Sequence, residues 1–160
     1  MQLRNRWFWI AAGLGLVIDQ LTKYWVTQTF DLTTPPDSMA LWPGVFYFTY
    51  VTNSGAAFSL FSNNGEWLKW LSMVVSAGLI ALGWGVVLPN RWEQAGYGLI
   101  LAGALGNGID RVLAGEVVDF LDFRLIRFPI FNMADVWINI GIICLLIAAL
   151  RHPAKSPENS

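Results

Sequence analysis

The sequence predicts an all-α polytopic membrane protein: four transmembrane helices with a small extracytoplasmic β-element. Three observations predict it. The 160 residues are 55% hydrophobic and only 13% charged, with a mean hydropathy of +0.48, which is a membrane composition. Four apolar stretches, at 7–30, 67–88, 95–113 and 129–150, come close to the ~20 residues that cross the hydrocarbon core as a helix. Between the first two, Val45-Phe46-Tyr47-Phe48-Thr49-Tyr50-Val51 is β-branched and aromatic, a strand pattern. A single membrane domain over 1–160 is expected, with outer loops at 31–66 and 114–128.

The first stretch begins after Arg4 and Arg6 and resembles a secretory signal. No small-x-small cleavage site follows, and the apolar pattern continues through Tyr24, Trp25 and Val26, so it reads as an uncleaved span. Pro35-Pro36 and Pro43-Gly44 punctuate the loop behind it as turns. The strand at 45–51 then leads toward the second span. A second short strand is expected at 117–123, after the third span, and the polar end at 156–160 should fray. Tryptophans mark both interfaces: Trp7, Trp9, Trp84 and Trp92 on one side, Trp25, Trp67, Trp70 and Trp137 on the other. Arg4, Arg6, Arg91, Arg151 and Lys155 flank the first of these sides. The loop at 31–66 has neither Lys nor Arg, and the loop after the third span has Arg124 and Arg127. Basic flanks stay in the cytoplasm, which places both termini and the turn at 89–94 there. In a bacterium the protein would sit in the inner (plasma) membrane with its longer loops on the periplasmic face.

Several function classes are excluded early. A net charge of −1 offers nothing to nucleic acid or to a polybasic lipid-binding surface. The single cysteine, Cys144, rules out a disulfide framework or a cysteine-rich metal site and reads as a small hydrophobe. The charges inside the apolar stretches are more informative. Asp19 and Lys23 lie late in the first, Asp110 and Arg111 at the end of the third, and Asp135 near the start of the fourth. With spans alternating in direction, all five fall toward the outer face. A charge within the bilayer costs ~3 kcal/mol or more, so this grouping points to a polar site within the bundle.

Each residue also has a local reading. Asp135 follows Asn132 by three positions, the spacing of a helix capping box, although Asp is a weaker third partner than Glu. Asp119 lies between Glu116 and Asp122 and by itself reads as a solvated surface carboxylate. Asp19 and Lys23 are spaced for an intrahelical ion pair. Asp110 and Arg111 are adjacent and cannot face each other, so each should pair across the bundle, Asp110 with Lys23. The Arg111 fork suits a lipid ester or a peptide carbonyl. Asn53 offers a donor and an acceptor to an extended backbone, and Gly55, Ala56 and Ala57 leave that backbone room. The Gly103-x-x-Gly106-x-Gly108 run suits close helix packing and, with no strand before it, is not a nucleotide loop.

Five outward clusters occur in order over about residues 15 to 140: Asp19-Gln20-Leu21-Thr22-Lys23, Asn53-Ser54-Gly55-Ala56-Ala57-Phe58, the run from Gly103 to Arg111, Val117-Val118-Asp119-Phe120, and Phe131-Asn132-Met133-Ala134-Asp135. Together they resemble the bacterial lipoprotein signal peptidases (signal peptidase II), an aspartyl peptidase family of the inner membrane. The resemblance implies catalytic roles for Asp119 and Asp135. It places Asp19, Lys23, Asn53, Gly55, Ala57, Asn107, Asp110, Arg111, Asn132 and Ala134 around them, bound to substrate or in support. It further implies diacylglyceryl-modified prolipoproteins as substrates, cut just before the lipidated cysteine, membrane lipid as a partner, and sensitivity to globomycin-like inhibitors. No cofactor or metal is expected: the one histidine, His152, lies on the cytoplasmic side. Ala102 stands where the family usually has glycine, a change expected to alter helix packing only slightly. The rival readings are a small transporter or proton-conducting bundle, since buried charges also line ion paths, and a non-catalytic assembly factor. Against transport, the polar residues gather at one face and no span shows the mid-membrane break that transporter sites use.

Overall fold

The computed structural model describes residues 4–55, 66–126 and 128–151. Four long helices carry the chain: α1 (Arg6–Thr29), α2 (Glu66–Gly85), α3 (Arg91–Leu113) and α4 (Met133–Arg151). Three strands, β1 (Ser38–Trp42), β2 (Phe46–Asn53) and β3 (Val117–Phe123), form one antiparallel sheet in the order β1-β2-β3. The strands expected at 45–51 and 117–123 are β2 and β3. β1 had no apolar alternation to announce it and is exposed along its whole length.

Helix α1 shows how the bundle is turned inside out. Ile10, Leu14, Val17 and Leu21 are exposed, at helical spacing, while Asp19 and Lys23 on the opposite face are buried. A charged interior beneath an apolar exterior suits lipid, not water. α2 from Trp67 and α4 have mean hydropathies of 1.4 and 2.2 and are long and apolar enough to cross a membrane.

The central helix is α3, which packs on α1, α2 and α4. Its glycines permit this. A Cβ at Gly103 would strike the Ala134 carbonyl oxygen, and one at Gly96 would fall 2.9 Å from the Gly141 carbonyl oxygen. Ala102 is fully buried, with its methyl facing Gly15 of α1, where a second methyl would sit 2.7 Å away. The alanine therefore fits because its neighbour across the interface is glycine.

Helix ends differ from the apolar bounds by a few residues, for reasons visible in the caps. α3 starts at Arg91, not 95, because the Asn90 side chain accepts from the Glu93 N–H (2.9 Å) and donates back to Glu93 Oε1 (2.7 Å), a reciprocal cap. α2 ends at Gly85, and the turn behind it is pinned by Asn5. The Asn5 amide donates to the Gly83 and Val86 carbonyls, and its Oδ1 accepts from the Leu88 N–H. α4 starts at Met133, not 129, since residues 129–132 run alongside β3. Phe131 exchanges backbone hydrogen bonds with Leu121 there.

The sheet is fastened to the bundle by aromatic packing. Phe120 and Leu121 join Val26 of α1 and Phe30 just past its end in one buried cluster, with Phe46, Phe48 and Phe131 against it. On the other side Arg124 laces the strands together. Its guanidinium donates to Asp122 Oδ2 (2.7 Å), Ser38 Oγ (2.8 Å) and Thr49 Oγ1 (3.1 Å), and lies 3.6 Å from the Tyr47 ring centre. The result holds β3 over the ends of α1, α3 and α4 that carry the acids.

Candidate active site

Asn132 is where local folding and the site begin together. Its Oδ1 accepts from the Asp135 N–H, and its own N–H donates to Asp135 Oδ2, both at 3.2 Å. This is the reciprocal box that the spacing predicts, with Asp as third partner. The Asn132 amide nitrogen then does two further things. It donates to Asp119 Oδ1 (2.7 Å) and to Asn107 Oδ1 (3.0 Å). Asn107 in turn donates to Asp135 Oδ1 at 3.1 Å. The two carboxylates, one on β3 and one on α4, are thus joined through a pair of asparagines.

Asp119 is no surface carboxylate. It is 3% exposed, because β3 lies between β2 and the 129–132 segment. Burial pushes its carboxyl up to about 6, against the hydrogen bonds from Asn53 and Asn132, with the Asp135 charge adding to the rise. Asn53, expected to meet an extended substrate backbone, is engaged elsewhere. Its amide donates to Asp119 Oδ2 (3.0 Å), and its Oδ1 accepts from the Gly55 N–H (3.0 Å). Its place is therefore as a second orienter of the acid.

Behind this pair lies a buried ionic knot. Lys23 meets Asp19 Oδ2 at 3.0 Å, Asp110 Oδ2 at 2.8 Å and Asn107 Oδ1 at 3.0 Å. Three acceptors match the three protons of an ammonium. Both predicted pairs of Lys23 are present, made by one cation. Asp19 also accepts from the Ala134 N–H at 2.8 Å, which ties α1 to the first turn of α4. A Cβ on Gly106 would collide with Asp19 Oδ2. Gln20, not singled out from sequence, donates to both Asp19 Oδ2 and Asp110 Oδ1, each at 3.1 Å. A polar residue next to an acid within an apolar stretch was the available signal.

The acids open on a cavity of about 460 Å³ lined by Asn53, Asn107, Arg111, Asp119, Asn132 and Asp135, and on its apolar side by Phe128, Ile130 and Val136. Arg111 was expected to pair across the bundle, but among the described residues it forms no ion pair. Its Nη1 donates to the Asn107 carbonyl and its Nη2 to the Gly55 carbonyl, both at 3.3 Å. α3 and the chain just past β2 are joined this way. Ala57 lies outside the described residues. A buried carboxylate and a half-buried one, both hydrogen-bonded on the wall of a cavity with an apolar side, are equipped for acid–base attack on a bond within a largely apolar substrate.

The comparisons with known proteins decide among the readings. Residues 11–151 match the family model described as signal peptidase (SPase) II. The chain belongs to the signal peptidase II family. It is 67% identical over 151 residues to the lipoprotein signal peptidase of Cyanothece sp. (strain PCC 7425 / ATCC 29141), covering 93% of this chain and 86% of that one. With the lipoprotein signal peptidase of Thermosynechococcus vestitus it shares 59% over 154 residues, covering 95% and 96%. Among solved structures, one described as a bacterial membrane enzyme at 2.3 Å resolution superposes with a TM-score of 0.81 at 34% identity, covering 94% of this chain and 92% of that one. The signal peptidase II match spans all four helices and all three strands. It makes the chain a membrane peptidase of lipoprotein processing, and the transport and assembly readings fall away.

Proposed function

We propose that this chain is an aspartic endopeptidase that removes signal peptides from diacylglyceryl-modified prolipoproteins, with Asp119 and Asp135 as its catalytic pair. One observation carries this: a buried carboxylate and a half-buried one, bridged by Asn132 and Asn107, share the wall of one cavity. The charge of one carboxylate makes the other harder to ionise, so one proton stays on the pair and the titration belongs to both. The ionised member takes a proton from water as its oxygen attacks the scissile carbonyl carbon. The protonated member hydrogen-bonds the carbonyl oxygen and stabilises the charge that gathers there. The tetrahedral diol collapses when the C–N bond breaks and an acid of the pair protonates the leaving amine. Asn53 and Asn132 hold Asp119 in place, Asn107 holds Asp135, and Asp19, Lys23 and Asp110 brace them from behind.

The substrate class follows from the architecture and from the names of the relatives. A signal peptide is itself a membrane helix, and the apolar side of the cavity, at Phe128, Ile130, Val136 and Ile140, suits its approach through lipid. The cut falls just before the lipidated cysteine. All four helices are read as spans of the bacterial inner membrane. Both termini lie in the cytoplasm and the acids at the periplasmic face, with outer loops at 31–66 and 114–128. The buried charges of α1 and α3 face the bundle and not lipid, as a spanning helix requires. A globomycin-like cyclic peptide is expected to compete for the same cavity.

The test is cleavage of a diacylglyceryl-modified prolipoprotein by the purified protein, beside Asp119→Asn and Asp135→Asn. Each variant is expected to lose ~10³-fold or more, since it removes the acid–base partner, while remaining folded. Full cleavage by either variant would refute its assignment.

A further inference from the structure

Asn139 has no role in the site described so far. It lies one turn beyond Asp135 on α4, exposed, and lines the same cavity. Its setting makes it unusual. Between Asp135 and Arg151 no other charged or amide side chain occurs on α4, and Ile142, Ile143, Leu146 and Leu150 present plain hydrocarbon. An amide left open on such a face is costly unless it meets a partner.

The hydrogen-bond inventory shows what partner would satisfy it. Asn139 Nδ2 donates to the Asp135 carbonyl at 2.9 Å, which uses one of its two N–H groups. The second N–H and Oδ1 meet no partner among the described residues. A free donor beside a free acceptor matches one residue of an extended chain, whose N–H and C=O point to the same side. A lipid ester has acceptors only and would leave Oδ1 buried without a donor, at the full desolvation penalty.

We infer that Asn139 is a substrate-binding residue that pairs with the backbone N–H and C=O of one extended residue on the signal-peptide side of the cleaved bond; the inference rests on the peptidase reading above. Position follows from helix and strand geometry. Four residues along α4 place Asn139 ~6 Å deeper in the membrane than Asp135. An extended chain rises ~3.3 Å per residue, so the residue it meets lies about two residues before the cut. The signal peptide has to be locally unwound there, since within a helix that N–H would already be bonded.

The experiment compares the wild type with Asn139→Leu on a lipidated substrate and on versions in which single backbone amides before the cut are replaced by esters, which removes one N–H each. For the wild type, one ester, near the second residue, is expected to lower kcat/KM about five- to tenfold, the effect of one hydrogen bond, mostly through KM. Asn139→Leu should pay the same loss on the all-amide substrate and lose no more on that ester. The Asn139→Gln variant, which keeps the amide, should recover part of the difference. A residue that merely steadied α4 would lower activity on every substrate alike, and equal penalties in both proteins would overturn the inference. So would a penalty relieved instead by replacing the glyceryl ester with an ether, which would assign Asn139 to the lipid. Failure of the wild type to cut the all-amide substrate would overturn the peptidase reading, and this inference with it.

Discussion

Replacing Lys23 with methionine probes the support of the site directly. The side chain keeps its length and apolar stem, so the change removes charge and hydrogen bonds with little change in volume. Lys23 is 4% exposed and Asp19 not at all, so water cannot take over from the ammonium. The knot of Asp19, Lys23 and Asp110 carries a formal charge of −1. Without the lysine it carries −2 in a site of low dielectric. Removing one partner of a buried pair costs ~3–5 kcal/mol. The lower end applies here, because the orphaned acids retain other donors. Asp19 keeps the Ala134 N–H and Gln20, and Asp110 keeps Gln20 and, at 3.4 Å, the Val118 N–H.

A loss of ~3 kcal/mol corresponds to a fall of about 10 °C in melting temperature for a chain of this size. Thermal unfolding in detergent, followed by tryptophan fluorescence, measures it. The second half of the test is the double variant Lys23→Met with Asp19→Asn. It restores the formal charge to −1 and should melt higher than the sum of the two single changes predicts, by a coupling of ~1–2 kcal/mol. A Lys23→Met protein that melts like the wild type, or strictly additive losses, would refute the claim that the cation holds these helices together.

Three further outcomes are expected. Burial raises the Asp119 carboxyl to about 6, so its contribution to stability is complete below the ordinary carboxylate range and is lost as pH rises through about 6. The Asn53 hydrogen bond opposes that rise, so Asn53→Ala should move the limbs of the kcat–pH profile upward; a downward or absent shift contradicts the assignment. Gly106→Ala should destabilise by ~1–3 kcal/mol through overpacking, despite alanine's better helix propensity, since the new methyl meets Asp19 Oδ2; melting and cleavage should fall together. Arg124→Lys should keep a charge near Asp122 but lose the multiple bonds of the guanidinium to Ser38, Thr49 and Asp122. Faster backbone hydrogen exchange in β1 is the expected sign, with a change in melting of ~1 kcal/mol or less for so exposed a group.

The four helices were legible because each is a long apolar run, and the gathering of the acids because successive helices were expected to alternate in direction. The ion pairs of Lys23 were legible as well: one follows from helical spacing, the other from the need of a buried acid for a cation. What the sequence hides is set by tertiary packing. β1, Ser38-Met39-Ala40-Leu41-Trp42, has neither strict alternation nor β-branched residues, and it exists because β2 offers it an edge. Asp119 is flanked by acids that suggest solvent, and only the strand order β1-β2-β3 beneath the 129–132 segment buries it. The use of Asn53 was hidden for the same reason. Its donor and acceptor are evident from chemistry, but their targets are Asp119 across the β2–β3 pairing and Gly55 two residues on.

Asn132 shows why a structural reading and a chemical one need not compete. The capping box starts α4, and the same side chain reaches Asp119 and Asn107 with the nitrogen that capping leaves free. Capping fixes the asparagine's rotamer, and that rotamer aims the nitrogen. When Asn132 caps the helix, it is therefore already in the pose that orients the acid on β3. A serine at this position could cap with its hydroxyl, but its single donor could not serve Asp119 and Asn107 together. Asn132→Ser should accordingly keep much of the stability of α4 and lose most of the activity, a separation that neither role alone would produce.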